Sequence, residues 1–451
     1  MTKFDEFSRR QFLAGVAVTA GGALLPQELL AEPPHAQLPL QPELVSERII
    51  LSLTADPAHS QAVTWRTEKA IELAQAQIAI ASANPNFEKT ATTVSARASK
   101  AERESGRSAG EYAAQFEGLS PNTRYSYRVG NGTTWSEWNS FRTAGDKPEA
   151  FRFLYLGDEQ NSIKSLWSRS IRAAYSKAPD ARFIIHAGDL LEEGYDDRLW
   201  GEWCDAMGFI SAEMPSFATP GNHDLHRMPG GTNSKEVLSV SPLWRHHFAL
   251  PTNGPKGVDE LEEQSYFIDY QGVRFISLDV NVYSNEAFAE SAKQRVGKMQ
   301  LAWLEDLLKE NPNRWTIVVQ HQPMYPIAKG RDYVEMREAL LPLYDKYRVD
   351  LVLQGHDHTY ARTHKLAGGR VVSPSQSGTI YAISVSGPKM YEIEDKFAPL
   401  RAKTLAHTEA FQVINVDGDK VTYDAYAIEG EQIDHFQLVK HADGTSTYSQ
   451  A

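Results

Sequence analysis

Short runs in which apolar and polar residues alternate fill the chain from Val45 to Thr143. Residues 49–53, 62–65, 71–80, 112–116, 125–129 and 138–141 are predicted to be strands, each closed by turn residues. About seven short strands in about a hundred residues fit a β sandwich, with Trp65 and Tyr127 as core residues. From Phe151 the pattern changes: continuous apolar strands alternate with helices. Leu301, Leu304 and Leu308 fall on one face of such a helix, and residues 334–347 predict another. That alternation predicts an α/β domain. Strands return at 411–416 and 420–428, followed by a polar tail at 441–451. The predicted organisation is a leader (1–31), a Pro-rich linker (32–44), a sandwich (45–145), an α/β domain (150–440) and the tail.

With 451 residues, two or three domains are expected. Hydrophobic and charged fractions of 41% and 23% are those of a folded globular chain. The net charge of −12 argues against a nucleic-acid platform. It leaves small phosphate compounds open as substrates, because a bound metal can dominate the local field. Past the N-terminus no apolar run reaches the roughly 20 residues that span a bilayer. The single cysteine, Cys204, rules out an intrachain disulfide.

Ser8-Arg9-Arg10-Gln11-Phe12-Leu13 precedes a small and apolar stretch at 14–25. The stretch is too short to span a membrane but suits a signal-peptide core. The arginine pair resembles the twin-arginine export signal. That resemblance implies a partner in the twin-arginine export machinery and a periplasmic or secreted location. Cleavage is expected after Ala31, although Leu29 fits the small-residue rule poorly.

The chemistry gathers at five predicted strand ends. The strand at 151–156 runs into Gly157-Asp158, and 182–187 into Gly188-Asp189. Residues 215–220 lead to Gly221-Asn222-His223-Asp224, 315–320 to His321, and 349–354 to Gly355-His356-Asp357-His358. In α/β proteins ligands collect beyond the carboxyl ends of strands. Carboxylate, amide and imidazole groups converging there are donors for divalent or trivalent metals. Each block alone is a common turn; five in this arrangement are not.

The five blocks together resemble the signature of the calcineurin-like metallophosphoesterases. The segments Leu51-Ser52-Leu53-Thr54-Ala55-Asp56-Pro57, Val63-Thr64-Trp65 and 118–130 resemble the front domain of purple acid phosphatases. The resemblance implies a fibronectin type III-like β sandwich followed by an α/β domain of four layers, α/β/β/α. It implies two metal ions (Fe, Zn or Mn), Asp189 bridging them, Asp158 and His358 on the first, and Asn222, His321 and His356 on the second. A metal-bridging hydroxide would attack a small phosphate monoester, as in acid phosphatases, while His223 stabilises the transition state and protonates the leaving group. A phosphodiesterase on the same centre is the alternative, and a non-catalytic surface-binding protein a more distant one.

The sequence departs from that family in two places. Gln160 stands where calcineurin-like enzymes place a histidine, and Glu192 where purple acid phosphatases place the tyrosine whose ferric complex gives their colour. The fourth ligand of the first metal is thus open among Gln160, Tyr195 and water. Arg331 and His226 are candidate substrate contacts, each with a bystander role as its alternative. His186 reads as core, His246 and His247 as a structural loop, and Lys389-Met390-Tyr391 as rim.

Overall fold

The protein is described by a computed structural model covering residues 41–102, 108–226, 239–284 and 290–450. The leader at 1–31 and most of the linker lie outside the described residues; of the linker, Pro42–Leu44 forms one 3-10 turn. Residues Pro42–Ala451 form one compact unit.

Among the described residues an eleven-stranded sheet runs through both expected domains. One half contains Phe151–Leu156, Ile184–His186 and Ser216–Ala218, paired in parallel. Ala410–Asp417 joins antiparallel to Phe151–Leu156, and Lys420–Ala427 and Gln432–Lys440 follow. On the other side Glu47–Ser52 pairs in parallel with Ser216–Ala218 at Ser52 and Ser216, then Gln61–Thr67, Ser108–Phe116 and Arg97–Glu102 complete the sheet. The sandwich is therefore built onto the edge of the α/β sheet, not tethered by a linker. A four-stranded sheet of Thr92–Ser95, Gln75–Ile80, Arg124–Gly130 and Asn139–Arg142 closes it. Trp65 and Tyr127 are buried in its core, and the Tyr127 hydroxyl donates to the carbonyl of Ala212, across the domain boundary, at 2.6 Å.

A seven-stranded sheet carries Trp315–Val319 and Leu351–Gln354 at its centre. It packs against the first through an aromatic cluster: Phe153, Phe183 and Phe275 are fully buried, with ring centroids 5.2–5.3 Å apart. Burying each is worth roughly 1.5–3 kcal/mol. The Tyr155 hydroxyl reaches across to the carbonyls of Gln354 and Ala382. The predicted helix face is buried as expected: Leu304 and Leu308 of Glu290–Lys309 pack with Met336 and Leu340 of Val334–Tyr347 in a second core cluster.

Three expectations change. The polar tail contains a strand: Ser446–Ser449 pairs with Gln432–Lys440, and its polar residues suit an edge strand with one wet face. His246 and His247 end a helix, Pro242–His247, whose start is set by the cap Ser241 and the proline after it. The strand expected from residue 71 begins at Gln75.

Candidate metal centre

The five predicted strand ends meet. Two triads of ligand atoms, Asp189–His321–His356 and Asp158–Asp189–His358, each lie within 4.8 Å of one another and are buried. Asp189 belongs to both. Backbone bonds hold the blocks in register: Asp158 N donates to Gly188 O at 3.1 Å, and His356 N to Asp158 Oδ2 at 2.5 Å. His223 N donates to Asp189 Oδ1 at 2.8 Å.

The turns are costly locally. Asp158 (φ 53°), Asp189 (53°), His356 (77°) and His358 (46°) all sit in the left-handed region, which costs a non-glycine residue roughly 1–2 kcal/mol. Such strain gathers where function requires it. Two glycines make the close approach possible. A Cβ on Gly221 would lie 2.2 Å from Asp189 Oδ1, and one on Gly188, at φ +86°, 2.5 Å from His321 Nδ1.

Each histidine is oriented by a second partner. His321 donates from Nδ1 to Ala187 O at 2.8 Å, which turns Nε2 toward Asp189 Oδ2 at 3.1 Å. His358 donates from Nδ1 to Lys389 O at 3.1 Å, leaving Nε2 for the cluster. His356 faces His321 Nε2 with its Nδ1 at 3.1 Å, while its Nε2 lies 2.5 Å from the Tyr333 hydroxyl. Such outer hydrogen bonds fix ring orientation in metal sites.

The charges fit a cation held by these residues. Burial raises the Asp158 carboxyl well above its ordinary range, with Asp189 adding to it and His321 opposing it. Burial also works against the charge on Asp189, yet His321 beside it holds that carboxyl low. Burial opposes a proton on His321, but Asp189 and Asp158 push it up to about 9. The oxygens agree: Asp158 Oδ1, Gln160 Oε1 and Asn222 Oδ1 are buried with no hydrogen-bond partner. An unsatisfied buried acceptor costs roughly 1–3 kcal/mol, which coordination of a cation would offset. The residues therefore fit two metal ions that share Asp189.

The remaining candidates separate. Gln160 is fully buried, with Nε2 at 3.1 Å from Asp189 Oδ2 and 3.2 Å from His358 Nε2. Tyr195 is 46% exposed, unlike the buried cluster. Half-buried His223 donates from Nδ1 to Glu192 O at 2.8 Å. Arg331 donates from Nη1 to His356 O (2.5 Å) and Asp357 Oδ1 (2.9 Å) and lies over the Tyr391 ring, so it braces the histidine loop. His226 is on the two-residue strand Leu225–His226, but its side chain lies outside the described ones.

Several working residues carried no sequence signal of their role. Asp224 accepts from the backbone of Asp189, Gly221 and Leu190, clamping two blocks together, and burial with Asp189 nearby pushes it up to about 8. Glu159 anchors the Asp158 turn through His186 and Trp203, both at 2.6 Å, so His186 is core with a polar duty. His186 could have been found as a polar residue inside an apolar strand; Tyr333 and the Lys389 carbonyl could not. Two cavities, of about 900 and 850 Å³, are lined by other residues.

The calcineurin-like phosphoesterase family matches residues 151–360, the segment that carries the five strand ends. The purple acid phosphatase N-terminal domain family matches residues 46–143. The chain thus carries a match to the purple acid phosphatase N-terminal domain followed by a match to the calcineurin-like phosphoesterase domain. It is 30% identical over 251 residues to a probable purple acid phosphatase 20 of Arabidopsis thaliana, covering 54% of this chain and 53% of that one. It is 27% identical over 282 residues to acid phosphatase type 7 of Homo sapiens, covering 57% and 58%. The chain spans about half the length of these curated relatives. Among solved structures, the purple acid phosphatase PPD1 of yellow lupin superposes with a TM-score of 0.71 at 17% identity, covering 89% of this chain and 75% of that one. PhoD superposes with a TM-score of 0.64 at 12% identity, covering 91% and 93%. At these identities the structures show the shared fold.

Proposed function

We propose that the chain hydrolyses phosphate monoesters at a dinuclear metal centre. The observation that carries this reading is the sharing of Asp189 between the two ligand triads. Asp158 and His358 would hold the first metal; Asn222, His321 and His356 the second. When bound, two cations supply positive charge to the phosphoryl group and generate the nucleophile near neutral pH. The protein's own groups do the rest. Asp189, held by the backbone of His223, keeps the two sites in fixed relation. The Nδ1–H of His223 is committed to Glu192 O, so Nε2 is the nitrogen that gives a proton to the leaving oxygen. Arg331 braces the loop of His356 and His358, and its remaining guanidinium nitrogens suit a phosphate oxygen.

In the same reading the front domain is fibronectin type III-like and the α/β domain four-layered, supported by two facing sheets with separate helix-covered cores. Metal content measured with turnover of matched mono- and diesters tests the function. Fewer than two metals per chain after reconstitution, or no monoester turnover, overturns it; faster diester turnover makes the enzyme a phosphodiesterase. We also infer twin-arginine export to the periplasm or beyond, from Arg9 and Arg10 before the apolar stretch. Arg9→Lys with Arg10→Lys then strands precursor in the cytoplasm, and unchanged processing rejects that inference.

A further inference from the structure

The first metal has only Asp158, Asp189 and His358 from the shared ligand set, and beside them stands a residue foreign to the pattern. Gln160 is fully buried, and its backbone N donates to Asp189 O at 3.2 Å. Its Nε2 approaches Asp189 Oδ2 (3.1 Å) and His358 Nε2 (3.2 Å), two atoms that would face the metal. Its Oε1 is buried and has no hydrogen-bond partner. Without a cation the amide does best by donating to those two atoms. With one, the N–H groups would be repelled and Oε1 attracted. A half turn of the amide exchanges nitrogen for oxygen at nearly the same place.

The neighbours offer no better fourth group. Glu192 accepts from Asn161 Nδ2 at 2.8 Å through Oε1, and its Oε2 is buried and unpartnered, as Gln160 Oε1 is. Its carboxylate is not among the ligand atoms that lie within 4.8 Å of one another, however, whereas the Gln160 amide touches both Asp189 and His358. Tyr195 is 46% exposed.

We propose that Gln160 is a direct ligand of the first metal through Oε1, and that it makes this site a seat for a hard divalent cation of the Mn²⁺ class. The proposal rests on the dinuclear reading above. The donor sets then differ. The first site has three oxygens, from Asp158, Asp189 and Gln160, and one imidazole, from His358. The second has two oxygens, from Asp189 and Asn222, and two imidazoles, from His321 and His356. Oxygen donors suit Mn²⁺ and Mg²⁺, while imidazole suits Zn²⁺. An amide also brings no negative charge, so a trivalent ion is less well neutralised here than beside a tyrosinate.

The test is metal binding to the metal-free protein, read by Mn²⁺ resonance and by Zn²⁺ calorimetry and independent of turnover. Wild type takes up two Mn²⁺. Gln160→Ala weakens one of them about tenfold or more and leaves the other unchanged. Gln160→Glu, which keeps an oxygen in place, retains both. Gln160→His shifts the weaker-imidazole site toward Zn²⁺ over Mn²⁺ by about tenfold or more. Two Mn²⁺ held by Gln160→Ala at wild-type affinity overturn the proposal, as does an unchanged metal preference in Gln160→His. Should the alanine variant unfold, the histidine and glutamate variants decide between the same outcomes. Wild type that binds fewer than two metals fails earlier, at the dinuclear reading.

Discussion

Arg362 and Asp434 join the two large sheets by a forked ion pair. Nε reaches Oδ2 at 2.6 Å and Nη2 reaches Oδ1 at 2.9 Å, and both side chains are buried. Arg362 is in Tyr360–Thr363 of the seven-stranded sheet and Asp434 in Gln432–Lys440 of the eleven-stranded one. Removing one partner leaves the other charge buried and uncompensated, which costs about 3–5 kcal/mol. Asp434→Asn should therefore lower unfolding stability by that order in chemical denaturation. Burial disfavours the Asp434 charge, but Arg362 outweighs it and holds the carboxyl below its ordinary value. Its contribution is thus present at neutral pH and lost as pH falls below about 4. A loss under about 1 kcal/mol at pH 7 would mean that Tyr360 and Tyr448 carry the junction instead.

Glu111 predicts the opposite pH dependence. It is buried in the sandwich 3.7 Å from Arg66 Nε, and burial pushes its carboxyl up to about 8 despite Arg66 and Arg48. Between its ordinary value of 4.5 and about 8 the folded state holds a proton that the unfolded state releases. Stability falls as pH rises through that window. Glu111→Gln should stabilise by about 1–3 kcal/mol at pH 9 and change little at pH 4.5, because Arg66 keeps Asp197 at 2.8 Å. The same difference at both pH values would show a packing effect and no titration.

Asp189→Asn should lower bound metal and phosphatase activity together, since one carboxylate serves both triads. Elemental analysis alongside steady-state assays checks this. Two metals still bound, with activity within tenfold of wild type, would take the bridging role from Asp189.

How the sequence and the structure divide the information follows from what each residue uses. The convergence of Asp158, Asp189, His321, His356 and His358 was legible because residue type and strand-end position coincide there. Trp65 and Tyr127 were legible as large aromatics in alternating strands. The junction of Ser52 with Ser216 was not, because pairing between strands distant in sequence leaves no local periodicity. The strand Ser446–Ser449 was read as a tail because an edge strand needs few apolar residues. The Lys389 and Ala187 carbonyls that orient His358 and His321 were invisible, since any residue supplies a carbonyl.

Iron provides a test by colour. The family's purple is a tyrosinate–ferric transition, but Glu192 stands at the tyrosine position and Tyr195 is 46% exposed. Protein reconstituted with iron should show no strong visible charge-transfer band. An intense band that disappears in Tyr195→Phe would establish Tyr195 as a ligand after rearrangement of its loop.

His223 gives the sharpest mechanistic prediction, because the structure separates its two nitrogens. Nδ1–H is bonded to Glu192 O at 2.8 Å, so a proton for the leaving group must come from Nε2 of the doubly protonated ring. An alkyl oxygen leaves as a strong base unless protonated as its bond to phosphorus breaks, whereas nitrophenolate is stable near neutral pH. Positioned proton transfer is worth about 10²–10⁴-fold. His223→Ala should therefore lose about that factor on an alkyl phosphate and much less on nitrophenyl phosphate. Metal content should stay near wild type, since Asn222, not His223, carries the orphaned oxygen. Equal losses on both substrates with metals intact would reduce His223 to charge stabilisation. Equal losses with one metal missing would instead make the His223 imidazole a metal ligand and not the acid.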